Sequence, residues 1–132
     1  MKVRAAAMLL TCVLLITCRA APLGPQLAGR EECEREVVAS LWDAEVRAVS
    51  GALEDWEANR PIDGLKLDAA VRMLSELSGV EGPVPNYVGY VPGDELRQAL
   101  EKWKDWFKAH EDCLFFDPKT ASLGRRKGCR GM

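Results

Sequence analysis

Apolar residues recur at three- and four-residue steps between Cys33 and Asn59, and this spacing constrains the fold more than any other feature. Charged residues separate the apolar positions, which are Val38, Leu41, Trp42, Val49, Leu53 and Trp56. The pattern gives one apolar face and is typical of a long amphipathic helix. The Asn59-Arg60-Pro61 sequence predicts its end, because proline cannot continue the helical hydrogen-bond ladder.

Two shorter helices are predicted downstream. The second runs from Asp68, a suitable N-cap, to Ser78, and Gly79 suits a left-handed C-terminal position. The third begins with Asp94 as N-cap and ends near His110. Its apolar face holds Leu96, Leu100, Trp103 and Phe107, with Ala99 and Trp106 beside it. Paired aromatic residues at helical spacing indicate a packed core.

Residues 79–93 connect these two helices and contain four glycines and three prolines, which predicts a long loop. The loop also holds several valines together with Tyr87 and Tyr90. Such apolar content predicts either a loop that packs over the bundle or a contact with a protein partner through the tyrosines, since tyrosine is enriched at interfaces.

Beyond the third helix, residues 114–116 and 121–123 predict two short extended pieces around a turn at Asp117-Pro118. The basic residues after them predict a solvated tail. The expected fold class is therefore all-α: a small three-helix bundle with a long Gly/Pro loop and a short extended turn at the C-terminus.

The N-terminus predicts an export signal. Lys2 and Arg4 precede an apolar run from Ala5 to Ile16, which is shorter than the roughly 20 residues that a membrane-spanning helix needs. The predicted organisation is a signal peptide at 1–17, a flexible tether at 18–30, a helical domain at 31–123 and a basic tail at 124–132.

The end of the apolar run, Leu15-Ile16-Thr17-Cys18, resembles the lipobox of bacterial lipoproteins. The resemblance implies that Cys18 is the lipid-attachment residue, which would carry acyl chains such as palmitate and anchor the protein in a bacterial cell envelope. Thr17 departs from the small residues that the family prefers before the cysteine. The competing prediction is ordinary cleavage after Ala20, which would yield a soluble secreted or periplasmic protein.

The C-terminal half carries a second resemblance. Leu77-Ser78-Gly79, the Trp103-Lys104-Asp105-Trp106 helix and the Phe116-Asp117-Pro118 turn are similar to a module of uncharacterised exported proteins of planctomycetes and myxobacteria. The family more often has threonine at position 78 and a further tryptophan at position 107. The resemblance implies a small packing module and brings no known activity.

Three cysteines remain for the folded body once the signal is removed, and export favours a disulfide. If the long loop lets the third helix run antiparallel to the first, Cys33 meets Cys113, and this pair is the favoured bridge. Cys113 with Cys129 is the alternative. A zinc site built from His110 and these three cysteines is a further alternative, although a single H-x-x-C spacing is weak evidence.

The chain has 18 basic and 20 acidic residues, and this balance argues against nucleic acid as a partner. The motifs of phosphate-binding loops, serine hydrolases and zinc proteases are missing from the sequence. The sequence therefore predicts a non-enzymatic protein without a cofactor. Its expected role is structural or interaction-based, as an accessory subunit of an envelope complex; the alternative is a soluble protein that binds a small ligand or zinc.

Overall fold

The computed structural model describes residues 27–83 and 91–129. These residues are mostly helical, which confirms the expected class in its coarse form, and they also contain a small antiparallel sheet. The elements in chain order are α1 (Leu27–Glu57), α2 (Gly64–Ser78), α3 (Gly93–His110), a 3₁₀ turn (Glu111–Cys113), β1 (Leu114–Asp117) and β2 (Ser122–Arg125).

The helix ends differ from the predicted ones at three places. Helix α1 begins at Leu27, so residues 27–30 of the predicted tether are helical. Asp63, rather than Asp68, caps α2, because its Oδ1 accepts a hydrogen bond of 3.1 Å from the Lys66 N–H one turn earlier than expected. Asp94 lies in the first turn of α3 and is not its N-cap, which is Pro92.

The ends of α1 and α2 follow the sequence signals. Helix α1 stops at Glu57, and Asn59 adopts a left-handed φ of 54° before Pro61. Helix α2 ends at Gly79, whose φ of 74° lies in the region that glycine enters without a Cβ penalty.

Helix α3 runs antiparallel to α1, as the sequence argument expected. An ion pair between Arg97 and Glu57 joins the start of α3 to the end of α1. At the opposite end, Arg35 of α1 lies 3.6 Å from Asp112, just beyond α3. Helix α1 also packs along α2, so it contacts both shorter helices.

One apolar core lies between the three helices and the sheet. Trp103 is completely buried at its centre and Trp106 is 2% exposed. Phe107, which the helical spacing placed on the buried face, is only half-buried, while Trp56 is 39% exposed and packs on Gly93. The other buried side chains include Val38, Trp42, Val49, Leu53, Leu67, Ala70, Val71, Leu74, Leu96 and Leu100.

The two strands form an antiparallel hairpin in which Phe116 pairs with Leu123 and Leu114 pairs with Arg125. Leu114 and Leu123 are buried, so one face of the hairpin packs on the helices. The Asp117 carboxylate accepts a hydrogen bond of 2.9 Å from the Lys119 N–H and fixes the turn. The second strand of the hairpin ends at Arg125, two residues beyond the predicted extended piece.

Among the described residues, none of the helices is both long enough and apolar enough to cross a membrane.

Candidate functional site

The cysteines pair differently from the favoured prediction. Cys113 forms a disulfide with Cys129, and their Cα atoms are 5.7 Å apart. Cys33, half-buried on α1, takes no part in this bond, so the predicted Cys33–Cys113 bridge is wrong and the alternative pairing is the one formed. The cause is the hairpin: the Arg126 N–H donates to the Cys113 carbonyl at 2.8 Å, which brings the chain after β2 back to the end of α3.

The disulfide also changes the interpretation of the H-x-x-C spacing. Cys113 and Cys129 hold no thiolates in this state, and zinc binds cysteine as thiolate. The His110 ring stacks on Trp106 with centroids 5.0 Å apart, and its Nδ1 lies 3.0 Å from the Trp106 carbonyl. Across residues 27–83 and 91–129, no three His, Cys, Asp or Glu side chains are grouped so that they could hold a metal ion.

Ser78 and Trp103, two residues of the predicted resemblance to exported proteins, have identifiable packing roles. The Ser78 hydroxyl donates to the Leu74 carbonyl at 2.6 Å and accepts from the Val80 N–H at 3.0 Å. The Val80 carbonyl in turn accepts a 2.9 Å hydrogen bond from the indole Nε1 of Trp103. Gly82 lies against the Trp103 ring so closely that a Cβ would clash with it. These contacts fix the chain where it leaves α2.

An open groove of about 510 Å³ lies on the surface between α1 and α3. Trp42 and Phe107 form its floor, with their rings nearly parallel and their centroids 5.2 Å apart. Trp106 packs behind Trp42 at 5.7 Å. The remaining lining residues are Ala39, Ser40, Asp43, Val46, Lys104 and Lys108. The groove therefore combines a rigid aromatic floor with charged walls.

The α1 wall and the α3 wall of the groove differ in charge. Asp43 is neutralised by Arg47, whose Nε lies 2.8 Å from its carboxylate. Lys104 makes only a long contact of 3.4 Å with Glu101, and within the described part of the chain Lys108 has no ion pair. The α3 wall thus presents two ammonium groups next to an apolar floor.

A second, smaller depression of about 220 Å³ lies at the end of the bundle that holds the disulfide. Arg126 spans it: its Nε donates to the Asp112 carbonyl at 3.1 Å and its Nη2 lies 3.9 Å from Glu34. Most of the other lining residues are acidic. Arg35 and Arg126, the two arginines of the lining, already make ion pairs with acidic residues. This depression is a network of surface ion pairs that closes the hairpin onto α1.

One carboxyl group has a clearly shifted pKa. Burial between the helices raises the pKa of Glu45 above its ordinary value of 4.5, and the nearby Lys66 ammonium partly opposes the shift. Glu45 lies on α1 one position before Val46 of the groove, but it is not part of the groove lining.

The predicted site residues Cys18, Tyr87 and Tyr90 lie outside the described residues. The groove was not among the predicted sites, because Trp42 and Phe107 were assigned to the core and the lysines were given no role. A signal was present: Lys104 and Lys108 are four residues apart and flank Phe107, so they share one side of α3.

The chain matches no family model, no curated protein and no solved structure.

Proposed function

We propose that the chain is an exported, non-enzymatic interaction protein, anchored to a bacterial membrane through a lipid on Cys18. The Cys113–Cys129 disulfide carries the export part of the proposal, because disulfides persist in oxidising compartments and are rare in the reducing cytosol. The charged and apolar N-terminal sequence and the lipobox-like Leu15-Ile16-Thr17-Cys18 support the anchor. The role is that of an accessory subunit of an envelope complex.

Labelling with radioactive or clickable palmitate tests the anchor. Cells that express the full chain are compared with cells that express Cys18→Ala, and a Cys12→Ala variant serves as the control within the same segment. The proposal expects label and membrane fractionation for the natural chain and the control, and loss of both for Cys18→Ala. A natural chain that stays unlabelled in the soluble fraction would contradict the anchor.

Thiol alkylation of the same cells tests export separately. A chain in which Cys113 and Cys129 resist alkylation until a reductant is added supports an oxidising compartment. A full-length, uncleaved chain in the cytosol with both thiols reactive would refute export.

The second candidate is a soluble secreted or periplasmic protein, and the Cys18-Arg19-Ala20 triplet favours it, because small residues occupy the two positions that ordinary signal cleavage requires. Mass spectrometry of the mature N-terminus separates the two candidates. A chain that begins at Ala21 supports the soluble protein, and an acylated chain that begins at Cys18 supports the anchored one.

The tyrosines of the long loop are proposed as partner contacts. Both described flanks of the loop are tied down: Gly82 lies on Trp103, and Gly93 lies on Trp56. A partner isolated by pull-down should lose affinity when Tyr87 and Tyr90 are replaced by alanine, and unchanged binding would assign the loop a packing role.

A further inference from the structure

We infer that the groove between α1 and α3 is a docking site for a short helical segment of a partner protein that carries acidic residues beside apolar ones. This inference rests on the proposed function, because it names the surface through which the proposed interaction protein binds a partner. The groove is distinct from the tyrosine loop, because its lining comes entirely from α1 and α3.

The floor of the groove suits an apolar anchor. Trp42 is 3% exposed and is held between Phe107 and Trp106, so the floor is rigid before any ligand arrives. Preorganised aromatic surfaces lose little conformational entropy on binding and recur as energetic centres of interfaces. Phe107 is the half-buried member of this cluster, which leaves part of its ring available to a ligand.

The shape of the groove favours a helix. Two antiparallel helices form its walls, and on α1 the lining residues run from Ala39 to Val46, a span of about 10 Å at 1.5 Å per residue. About two turns of a partner helix fit this length, with apolar residues spaced three or four apart facing the floor. A contact of this size is typical of a weak, transient interaction.

The charge of the walls favours an acidic partner. Lys104 and Lys108 border the floor on the α3 side, and Arg47 already neutralises Asp43 on the α1 side. The groove lining holds these two lysines and a single aspartate, so its net charge is positive, whereas the whole chain has a formal charge of −2. Opposite charges across an interface raise the association rate and select the partner's orientation.

A membrane surface fits the groove less well than a helix. A bilayer is broad and nearly flat, whereas the aromatic rings lie at the bottom of a concave surface. Among the described residues, the large apolar side chains that protrude are Trp56 and Leu65, and neither lines the groove.

Two synthetic peptides provide the test. Both are helical and carry leucines at positions i, i+3, i+4 and i+7; one has glutamates on the flanks of this face and the other has lysines. Binding to the full-length chain is measured by fluorescence anisotropy of the labelled peptides. We expect the glutamate peptide to bind and the lysine peptide to bind at least about tenfold more weakly, with the difference shrinking at high salt.

Variants locate the binding surface. Lys104→Glu combined with Lys108→Glu should weaken the glutamate peptide about tenfold or more, because like charges then face each other. Lys102→Glu combined with Lys119→Glu is the matched control, since both lysines are exposed and lie outside the groove. Ser40→Trp should also block binding, because Ser40 is an exposed lining residue and a large side chain there fills the groove.

Several results would overturn the inference: no binding of the glutamate peptide, equal binding of both peptides, or equal effects of the two lysine pairs. Two other occupants would overturn it as well. One is a dimer of this chain that Lys104→Glu with Lys108→Glu disperses in sedimentation experiments. The other is binding of phosphatidylglycerol vesicles that depends on these lysines and outcompetes the peptide.

The peptide-binding experiment and the tests of the proposed function can fail independently of each other. A chain that is lipidated and oxidised but does not bind the peptide refutes the groove alone. A chain that binds the peptide through Lys104 and Lys108 but is neither labelled by palmitate nor oxidised in cells refutes the anchor and export alone.

Discussion

Two non-helical regions of the molecule are held in place by different means. The post-α2 segment (residues 79–83) is fixed by side chains of the core: Ser75 and Ser78 accept its amide hydrogens, and Trp103 donates to its Val80 carbonyl. The C-terminal hairpin (residues 114–129) buries Leu114 and Leu123 and is further held by a disulfide, by the hydrogen bond from the Arg126 N–H to the Cys113 carbonyl and by ion pairs on the surface.

This difference indicates how each region responds to its surroundings. Partly buried polar groups that lose their partners have little access to water, so we expect the post-α2 segment to depend on side-chain identity and little on salt or redox state. Exposed ion pairs such as Arg126–Glu34 contribute at most about 1 kcal/mol each. We therefore expect the hairpin to depend more on oxidation of Cys113 and Cys129 than the post-α2 segment does.

The largest expected effect comes from Trp103→Ala. This substitution empties the centre of the core and also removes the hydrogen bond to Val80, so the free energy of unfolding should fall by about 3–5 kcal/mol. Chemical denaturation measures the change. Trp56→Ala is the control, because Trp56 is 39% exposed; equal losses for the two variants would contradict the central role of Trp103.

Removal of the disulfide should have the next largest effect. The Cys113→Ser and Cys129→Ser double variant releases a crosslink between residues 16 apart, which should cost about 3 kcal/mol. Hydrogen exchange should show lost protection in residues 114–126 and retained protection at the Val80 and Gly82 amides. Equal loss in both regions would mean that they unfold as one unit.

Ser78→Ala tests the side-chain hydrogen bonds that hold the post-α2 segment. Ser78 is fully buried, and its loss leaves the Val80 N–H without its acceptor, so we expect destabilisation of about 1–3 kcal/mol. Ser50→Ala is the matched control, because the Ser50 hydroxyl makes only a 3.3 Å contact with its own helix. Retained protection of the Val80 amide in Ser78→Ala would argue against the hydroxyl as its anchor.

The two tryptophans of α3 differ in their hydrogen bonding. Trp103 Nε1 has an acceptor, whereas Trp106 Nε1 is buried without one in the described structure. Phenylalanine at either position removes similar volume, but only Trp103→Phe breaks a hydrogen bond. We expect Trp103→Phe to cost about 1 kcal/mol more than Trp106→Phe, as measured by thermal and denaturant unfolding; the reverse order would contradict the assignment.

The smallest expected effect concerns pH and lies outside both regions. Because the folded-state pKa of Glu45 is raised above 4.5, native protein loses stability as pH rises through that pKa and the carboxyl ionises. Glu45→Gln should therefore be the more stable protein at neutral pH, and the difference should vanish below pH 4.5. Unfolding curves from pH 4 to pH 8 measure this, and a variant less stable at neutral pH would contradict the sign.

The sequence predicted the helical bundle because its signals are local. The apolar spacing in α1 and α3, the left-handed Gly79 and the turn at Asp117 each depend on a few neighbouring residues, and all are confirmed. The length of the loop allows the antiparallel course of α3 against α1, and the structure shows this course.

The disulfide and the groove could not be predicted in the same way. The end of α3 lies near both the start of α1 and the chain after β2, so closeness to α3 does not by itself decide whether Cys33 or Cys129 bonds to Cys113. The antiparallel return of β2 places Cys129 next to Cys113. Likewise, helical spacing identifies an apolar face but not which of Trp106 and Phe107 is covered by a neighbour. The burial of one and the partial exposure of the other are set by how α3 is rotated against α1.

Local signals in the chain are therefore enough to predict the three helices, the residues at which they end and their apolar faces, since backbone sterics and solvent transfer act residue by residue. The Cys113–Cys129 pair and the placement of Lys104 and Lys108 along an aromatic floor result instead from contacts between elements. Both depend on how the hairpin and the helices pack together, and the periodicity of residues along the chain does not specify that packing.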